Sequence, residues 1–486
     1  MTRFRREGDR WAVGTRVALG GRVIVLGYGT IGQCILPMLL ETLDVPPERY
    51  VVIEADDHGQ RFAPYREAGM AYHVWRITPE NLGERMQAVA RDGDLVLNLT
   101  MGVDSIALAD WCHHRGAVYV DTSIEPWEDV AWDFELPPDK RTEYTYHQNA
   151  RRQAARRWSP SGPTAVFTHG ANPGLVSHFV KAALLDICAA LGREREAPTT
   201  REDWGQLARE LGVRVIHISE RDTQRSAEPK AVGEFVNTWS IPGFVEEASM
   251  PAEFGWGTHE RTLPPAGYRH LEGPGNAIYV LKPAGSVMLR SWVPLGGQIA
   301  GLALPHSESI TISDYLTVHG STGVLYRPTV AFVYLACDNA MASLHETMMR
   351  DWEIPSRQRV MNEDIVGGRD ELGVLLLGHP LNGWWYGSQL DVHEARRLVP
   401  GHNPTAIQVA AGALAAAAWA VANPDRGYCE PEDLPHQEVL SIARPYLGPM
   451  PSEATDWNPV RGLRNLLHAP CIDRDDPWQF ANFLLP

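Results

Sequence analysis

The sequence lacks several features that would mark whole classes of protein. Its six cysteines lie far apart and form no CxxC pair, so their spacing gives no sign of a metal ribbon or a redox motif. We expect reduced, mostly buried thiols in a cytosolic protein. The cysteines are Cys34, Cys112, Cys188, Cys337, Cys429 and Cys471.

Positive charge is also scarce. Lys and Arg number 44 against 60 Asp and Glu, which gives a net charge of -16. Such a field repels nucleic acid and anionic membrane surfaces, and it attracts small cations. We therefore expect no nucleic acid partner and a cationic small-molecule substrate.

Long apolar runs are missing as well. The first residues, MTRFRREGDRW, are basic without an apolar stretch, unlike a secretory signal. The longest apolar run, AAGALAAAAWAVA at 410–422, is shorter than the roughly 20 residues that span a bilayer. Asn403-Pro404 precedes it and Asn423-Pro424 ends it, which favours a buried helix. We expect a cytoplasmic protein with no membrane partner.

Motifs of several enzyme classes are absent from the sequence too. It contains no HExxH, P-loop or GxSxG motif. The sequence therefore gives little support for a metalloprotease, an NTPase or an α/β-hydrolase. We found no internal repeat, and we expect no metal site.

Short apolar runs alternate with helical stretches between residues 22 and 123. Continuously apolar strands that alternate with helices indicate a parallel sheet covered on both faces, a doubly wound α/β domain. The predicted strands are VIVL (23–26), YVVIEADD (50–57), MAYHVWRI (70–77), DLVLNLTMG (94–102) and GAVYVDTSI (116–124).

A glycine loop follows the first of these strands. Gly27, Gly29 and Gly32 fit G-x-G-x-x-G between a strand and a helix, where a dinucleotide pyrophosphate binds the helix N-terminus. Glu54 ends the next strand at the spacing of a ribose-binding acid, and the acidic residues after it would repel a 2'-phosphate. This pattern predicts NAD rather than NADP, held by Gly27, Gly29, Thr30, Ile31, Gly32 and Glu54.

Polar residues also follow the fourth and fifth strands. Because ligands bind at the carboxyl ends of parallel strands, Thr100, Asp121 and Thr122 are candidates to line the cofactor site. Each of them could equally be an ordinary cap, and the sequence does not decide between these roles.

The remainder of the chain indicates a second α/β lobe. The stretch 163–187 has the pattern of a strand, a turn and a helix, and 213–330 holds many strand-like pieces typical of a mixed sheet. The polar, Arg-rich stretch 140–158 is typical of a solvated helix. We predict an NAD-binding Rossmann domain at 1–165, a substrate domain at 166–400, and a C-terminal helical segment at 401–486 that packs back on the first domain.

Several acidic residues lie in loops or at strand ends, where binding groups concentrate. Each could also be structural. Trp239 is either a core aromatic or a ring face for a cation, and His306 is either structural or a general acid or base. The loop acids are Asp104, Glu125, Glu220, Glu247 and Glu308.

Ordered blocks across residues 20–330 carry a family resemblance. GYGTIG, VDTSIEPW, THGANPGLVSHFVK, ISERDTQ, EFVNTWS and GWGTHE together resemble the bacterial homospermidine synthases, a family of the saccharopine dehydrogenase-like group. These blocks are more specific than the glycine loop alone. The resemblance implies a homodimer built through the second lobe.

The chemistry that the resemblance implies has no net redox change. A hydride passes from the amine-bearing carbon of putrescine to NAD, ammonia is exchanged for a second putrescine, and the hydride returns to give sym-homospermidine. Spermidine is a second possible aminobutyl donor.

The resemblance also implies residue roles. Trp239 stabilises cationic intermediates, Asn172, Glu220, Glu247 and Asp104 surround the reacting amine, Glu125 holds the distal ammonium, and His306 with Glu308 completes the pocket. We therefore predict catalytic roles for Trp239, Glu220, Asn172 and His306, and substrate binding by Asp104, Glu125, Glu247 and Glu308.

Two alternatives remain at this point. A saccharopine-type amino-acid dehydrogenase would release NADH and bind an α-carboxylate, which demands an arginine clamp. A non-catalytic NAD sensor would keep the glycine loop and Glu54, but it would have no reason to gather Trp239 and the loop acids.

Overall fold

The computed structural model describes residues 16–133, 135–463 and 472–485. The chain divides into two units. The first contains the described residues up to Glu135, Tyr146–Leu175 and Arg397–Leu447. The second contains Leu136–Thr145, Val176–Arg396 and the described residues from Gly448 onward. Cys471 and the basic N-terminal stretch lie outside the described residues.

The first unit holds a parallel sheet of seven strands. Consecutive strands run outward in both directions from Val23–Leu26. With the right-handed crossovers usual for parallel strands, this order is that of a doubly wound sheet with helices on both faces. The predicted doubly wound fold is confirmed. The order in space is Tyr428–Cys429, Ala165–Val166, Val118–Asp121, Leu95–Asn98, Val23–Leu26, Tyr50–Glu54 and Ala71–Val74.

Four central strands of this sheet are almost continuously buried, which is why their sequences are apolar rather than alternating. Val17–Ala18 and Leu43–Asp44 form a separate parallel pair. The helices of this unit are Thr30–Thr42, Gly59–Glu67, Leu82–Val89, Ser105–Arg115, Glu128–Ala131, most of Glu143–Arg157, Pro404–Ala422 and His436–Ala443, with 3-10 turns at Pro47–Arg49, Pro431–Asp433 and Arg444–Tyr446.

The apolar helix Pro404–Ala422 is part of the core. By length and composition it could cross a membrane, but 89% of its apolar stretch is buried inside the protein. It packs against helix Thr30–Thr42 and strand Val118–Asp121. Asn403 caps its first turn by accepting from the Ala406 N–H. The prediction of a buried helix is confirmed.

The second unit is built on a mixed sheet of ten strands, as predicted. Only Val215–Asp222 and Thr329–Leu335 pair in parallel, while every other described pairing in this sheet is antiparallel. The main order is Gly267–Arg269, Ala277–Pro283, Pro251–Gly255, Thr329–Leu335, Val215–Asp222, Arg369–Leu377, Gly383–Asp391 and Ser452–Thr455, with Met288–Val293 and Gly297–Leu302 joined to Thr329–Leu335.

Smaller elements complete the second unit. The two-stranded pairs are Arg225–Ser226 with Ile365–Gly367, Glu234–Asn237 with Arg357–Val360, and Val318–Gly320 with Gly323–Tyr326. Its helices are Leu175–Ala190, Arg201–Leu211, Ile241–Ser249, Ser307–Tyr315, Asp338–Met348, Val392–Leu398 and Phe480–Phe483, with 3-10 turns at Pro138–Lys140 and Ala284–Ser286.

Two features differ from what the sequence pattern suggested. The stretch after residue 400 also contributes Tyr428–Cys429 to the first sheet and Ser452–Thr455 to the second. Helix Glu143–Arg157 is not simply a solvated face, because Tyr144, His147 and Ala150 are buried. The arginines that follow Ala150, at positions 151, 152, 156 and 157, obscure this buried face in the sequence. The five described cysteines are buried and free, as predicted.

Candidate functional site

Each glycine of the loop Gly27–Gly32 meets a different steric demand. Gly27 has φ +94°, and a Cβ there would lie 2.6 Å from the Leu99 carbonyl oxygen. A Cβ on Gly32 would lie 2.1 Å from the Gly27 carbonyl oxygen. A Cβ on Gly29, in contrast, would meet no described atom within 4 Å. The loop is thus closed at both ends and open at its centre, where a pyrophosphate must approach.

Helix Thr30–Thr42 begins directly at this open position. Gly29 has no side chain with which to cap it, and the first N–H groups of a helix have no partner within the helix. These groups, on Thr30, Ile31 and Gly32, are suited to bind an anion. The residues present therefore fit the phosphates of a dinucleotide.

Glu54 lies beside the loop at the end of strand Tyr50–Glu54. Its carboxylate accepts hydrogen bonds from the Tyr28 N–H and, at 2.7 Å, from the Ala55 N–H. The acid is thereby fixed next to the position that a ribose would take. The Asp56 N–H also donates to it, at 3.3 Å.

The polar residues after the next strands have protein partners of their own. Thr100 donates from its hydroxyl to Asn98 Oδ1 at 2.6 Å. Asp121 is 1% exposed and accepts from the Tyr119 hydroxyl and the Thr168 N–H. Burial raises the pKa of Asp121 to about 7, although these hydrogen bonds oppose the rise. Asp121 therefore fixes the segment that starts at Thr168, and Thr122 lies half-buried beside it.

Asp104 and Glu125 are brought together at the carboxyl edge of the first sheet. Asp104 caps helix Ser105–Arg115 by accepting from the Ala107 N–H at 2.7 Å. Ser105 joins the two loops, since its hydroxyl accepts from the Glu125 N–H at 3.0 Å. Ser123 donates to Glu125 Oε1 at 2.7 Å, and burial raises the pKa of Asp104.

Asn172 follows strand Ala165–Val166 in a half-buried loop of the same unit. The Gly170 N–H closes this loop by donating to the Pro173 carbonyl oxygen at 2.7 Å. A Cβ on Gly174, whose φ is +124°, would lie 2.3 Å from the Gly170 carbonyl oxygen, so the turn requires glycine.

In the second unit, His306 lies between two carboxylates. Its Nδ1 is 3.2 Å from Glu308 Oε1, and its Nε2 is 3.2 Å from Glu247 Oε2. Burial alone would lower the pKa of His306, but the two carboxylates outweigh it and hold the pKa well above its usual value. His306 is therefore an imidazolium at neutral pH.

Glu247, His306 and Glu308 form a triad in which several polar atoms make no hydrogen bond to the described residues. Glu308 is fully buried, and within the described part of the chain its Oε2 has no hydrogen-bond partner. His306 Nε2 and Glu247 Oε2 are close enough for an ion pair but are not aligned for a hydrogen bond. A cationic amine would supply the missing donors.

Trp239 belongs to an aromatic wall that leads to the triad. Its ring lies 5.5 Å from Phe244, and its Nε1 donates to the Tyr334 hydroxyl at 3.4 Å. Tyr334 stacks on Phe332 at 5.7 Å, and Phe332 lies 4.1 Å from the His306 ring. Trp239 itself is half-buried, so part of its surface is open to a ligand.

Glu220 lies on strand Val215–Asp222 next to the same wall. It is 4% exposed and stands directly opposite Tyr334 in the parallel register. Burial, with Asp222 and Glu220 nearby, raises the pKa of Tyr334 well above its usual value. The hydroxyl therefore stays protonated beside these acids.

Sequence reasoning missed several neighbours of these residues. Glu143 accepts from the Ser307 hydroxyl at 2.6 Å. Asp222 accepts from the Thr238 hydroxyl at 2.8 Å and stands opposite Asp370 in the antiparallel register. A possible signal for Asp222 was its place two residues after Glu220, on the same face of the strand. Glu143 gave no signal, because it lies in a stretch that is charged throughout.

The arrangement suits positively charged ligands. The second unit offers carboxylates, one imidazolium and an indole face, and it offers no arginine in direct contact with the triad among the residues described. The described residues also contain no cluster of His, Cys, Asp and Glu that could hold a metal ion.

The chain matches two family models. The saccharopine dehydrogenase NADP binding domain matches residues 23–166, and the saccharopine dehydrogenase C-terminal domain matches residues 170–456. The second match covers more than half of the chain.

Relatives match over nearly the full length. The homospermidine synthase of Blastochloris viridis is 42% identical over 98% of this chain and 99% of its own. That of Mesorhizobium japonicum is 38% identical, with 98% of each chain covered. The crystal structure of homospermidine synthase from Legionella pneumophila in complex with NAD is 37% identical, with a TM-score of 0.90 over 97% of this chain and 99% of that one.

These matches agree with the sequence predictions of family, enzyme class and cofactor. The Legionella relative carries the predicted cofactor, and the family model of the N-terminal part is a dinucleotide-binding domain. The predicted family and enzyme class are confirmed. The chain belongs to the homospermidine synthase family of the saccharopine dehydrogenase-like group.

Proposed function

We propose that the chain joins two putrescine molecules into sym-homospermidine with release of ammonia, or takes the aminobutyl group from spermidine. The observation that carries this proposal is the Glu247–His306–Glu308 triad, in which His306 and Glu308 are buried, beside the aromatic wall of Trp239. Carboxylates and an indole face suit a diamine, whereas an amino-acid substrate would need a cationic clamp for its carboxylate.

The glycine loop, helix Thr30–Thr42 and Glu54 would hold NAD, which would supply a hydride acceptor and donor for the amine-bearing carbon of the substrate. The substrate is a dication at neutral pH, and its reacting amine must lose a proton before the hydride leaves. We assign Glu220, Glu247, Asn172 and Asp104 to that amine, and Glu125 to the distal ammonium.

His306 is suited to donate a proton to the departing ammonia. The two carboxylates hold it as an imidazolium, and Glu247 can bind an ammonium when His306 turns toward Glu308. Glu247 and Glu308 therefore both orient His306 and offer oxygen ligands to the substrate.

Trp239 is assigned to the cationic intermediate that forms between hydride removal and hydride return. Its face stabilises positive charge by about 0.5 to 2 kcal/mol without offering a nucleophile. The bond from Nε1 to the Tyr334 hydroxyl fixes the orientation of the ring.

A product assay tests this function. The purified chain with NAD and putrescine should form homospermidine and ammonia, measured by mass spectrometry, while absorbance at the NADH band stays flat. Stoichiometric NADH would support the saccharopine-type dehydrogenase instead. No turnover with putrescine, spermidine or other diamines would favour an NAD sensor.

We also propose a cytoplasmic homodimer formed through the second unit. Strand Gly267–Arg269 lies at the edge of the mixed sheet, and Tyr268, Leu271 and Leu281 near this edge are exposed. Exposed apolar edge strands are templates for pairing with another chain. Light scattering coupled to gel filtration should give twice the chain mass, and Leu271→Lys should lower it.

A further inference from the structure

A second buried ionic network adjoins the His306 triad. Glu143 accepts from the hydroxyl of Ser307, the residue after His306, at 2.6 Å. The next residue, Tyr144, donates its N–H to the Glu253 carboxylate at 3.3 Å. Glu253 is fully buried and lies 2.9 Å from His270 Nε2. The side chain of Glu143 is thus held against the helix that starts beside His306.

Two of the elements around Glu143 present like charges, and a third presents His306. Glu253 on strand Pro251–Gly255 and Glu247 on helix Ile241–Ser249 disfavour its carboxylate, while His306 favours it. Burial, supported by these acids and opposed by the Ser307 hydroxyl, raises the pKa of Glu143 to about 8. Glu143 therefore holds a proton at neutral pH.

Charge counting shows why this proton matters. The connected groups comprise four carboxyls, Glu143, Glu247, Glu253 and Glu308, and two histidines, His270 and His306. With all four carboxyls ionised, an excess of negative charge surrounds His306, which is costly in a buried site. One proton on Glu143 reduces this excess.

We propose that Glu143 is a positioning residue that sets the charge of the His306–Glu247 pair through its contact with Ser307. When Glu143 ionises, its negative charge favours the imidazolium form of His306. When Glu143 is protonated, His306 releases its proton at lower pH. This inference rests on the proposed function in assigning His306 to diamine chemistry.

Glu143→Gln tests the proposal, because glutamine keeps an oxygen for Ser307 and cannot ionise. The limb of the pH profile of kcat/KM that belongs to His306 should move to lower pH by about one pH unit. Ser307→Ala removes the donor that favours the Glu143 carboxylate, so a smaller shift in the same direction is expected. Asp139→Asn is the matched control on the preceding turn, where the carboxylate is 40% exposed and pairs with Lys140. It should leave the limb in place.

A stability measurement separates this inference from the proposed function. An acid whose folded pKa is raised binds more protons in the folded chain between pH 4.5 and about 8, so the parent loses stability as pH rises through that window. The Tm of Glu143→Gln minus that of the parent should grow by about 2–4 °C from pH 5 to pH 8. Asp139→Asn should show no such growth.

The outcomes are distinct. A Tm difference that does not change with pH overturns the inference, and so does an unmoved pH profile in an active Glu143→Gln variant. Failure of the parent to make homospermidine would instead overturn the proposed function, and the Tm difference would then decide whether Glu143 holds its proton.

Discussion

The two units differ in how far apart their functional residues lie along the chain. In the first unit, Gly27, Gly29 and Gly32 fall within six residues, and Glu54 ends the very next strand of the sheet. In the second unit, Glu220, Trp239, Glu247 and His306 come from separate elements. The cofactor site proposed for the first unit depends largely on backbone that a local motif specifies. The site proposed for the second unit depends on side chains that only the folded sheet assembles.

The largest expected effect concerns the backbone of the first unit. Gly32→Ala places a Cβ 2.1 Å from the Gly27 carbonyl oxygen, so the helix must move away from the loop. We expect a loss of about 1–3 kcal/mol in the free energy of unfolding, measured by denaturant titration, together with loss of NAD binding.

Gly29→Ala is the matched control for that change. Its Cβ meets no described atom within 4 Å, so the free energy of unfolding should stay the same while NAD affinity falls, because the methyl group occupies the approach of the pyrophosphate. If both variants lose stability equally, Gly32 has no special packing role in the loop. If Gly29→Ala binds NAD like the parent, Gly29 does not lie on the approach of the pyrophosphate.

This division explains how much the sequence could predict. The parallel sheet, its strands and the glycine loop follow from apolar runs and local spacing, which act over a few residues. The role of Asp121 could not be read in the same way, because its partner Thr168 comes from a different loop. The strand Tyr428–Cys429 could not be predicted, because two residues are too few to show a strand pattern.

The mixed sheet of the second unit was predicted from strand-like pieces of sequence, but the roles of its site residues were predicted by resemblance. Nothing local links Glu247 to His306, which lie 3.2 Å apart only because helix Ile241–Ser249 and the turn before helix Ser307–Tyr315 meet in the fold. Glu143 was missed because a charged stretch usually faces solvent, and its neighbours Ser307 and Glu253 are distant in sequence.

Substitution of Trp239 in the aromatic wall tests whether this side chain stabilises the cationic intermediate without affecting NAD binding. Trp239→Ala should lower turnover by about 2- to 30-fold, the rate equivalent of the cation–π energy, and leave NAD affinity unchanged. Trp239→Phe should retain part of the activity, because a smaller ring face attracts a cation less. Steady-state kinetics and NAD titration measure the two effects.

Equal activity of the parent and Trp239→Ala would remove the cation–π role. Loss of NAD affinity in either variant would contradict the assignment of Trp239 to the cationic intermediate alone.

The smallest expected effect comes from Asp104, whose side chain both caps a helix and is proposed to bind the substrate. Its Oδ1 caps helix Ser105–Arg115, and asparagine caps a helix about as well as aspartate. Asp104→Asn should therefore keep the parent Tm and raise the KM for putrescine by about 1.5- to 5-fold, as for a partly exposed ion pair. Asp104→Ala should lower the Tm as well, because the cap is lost. An unchanged KM in Asp104→Asn would leave Asp104 with capping alone, and the reacting amine would then depend on Glu220, Glu247 and Asn172.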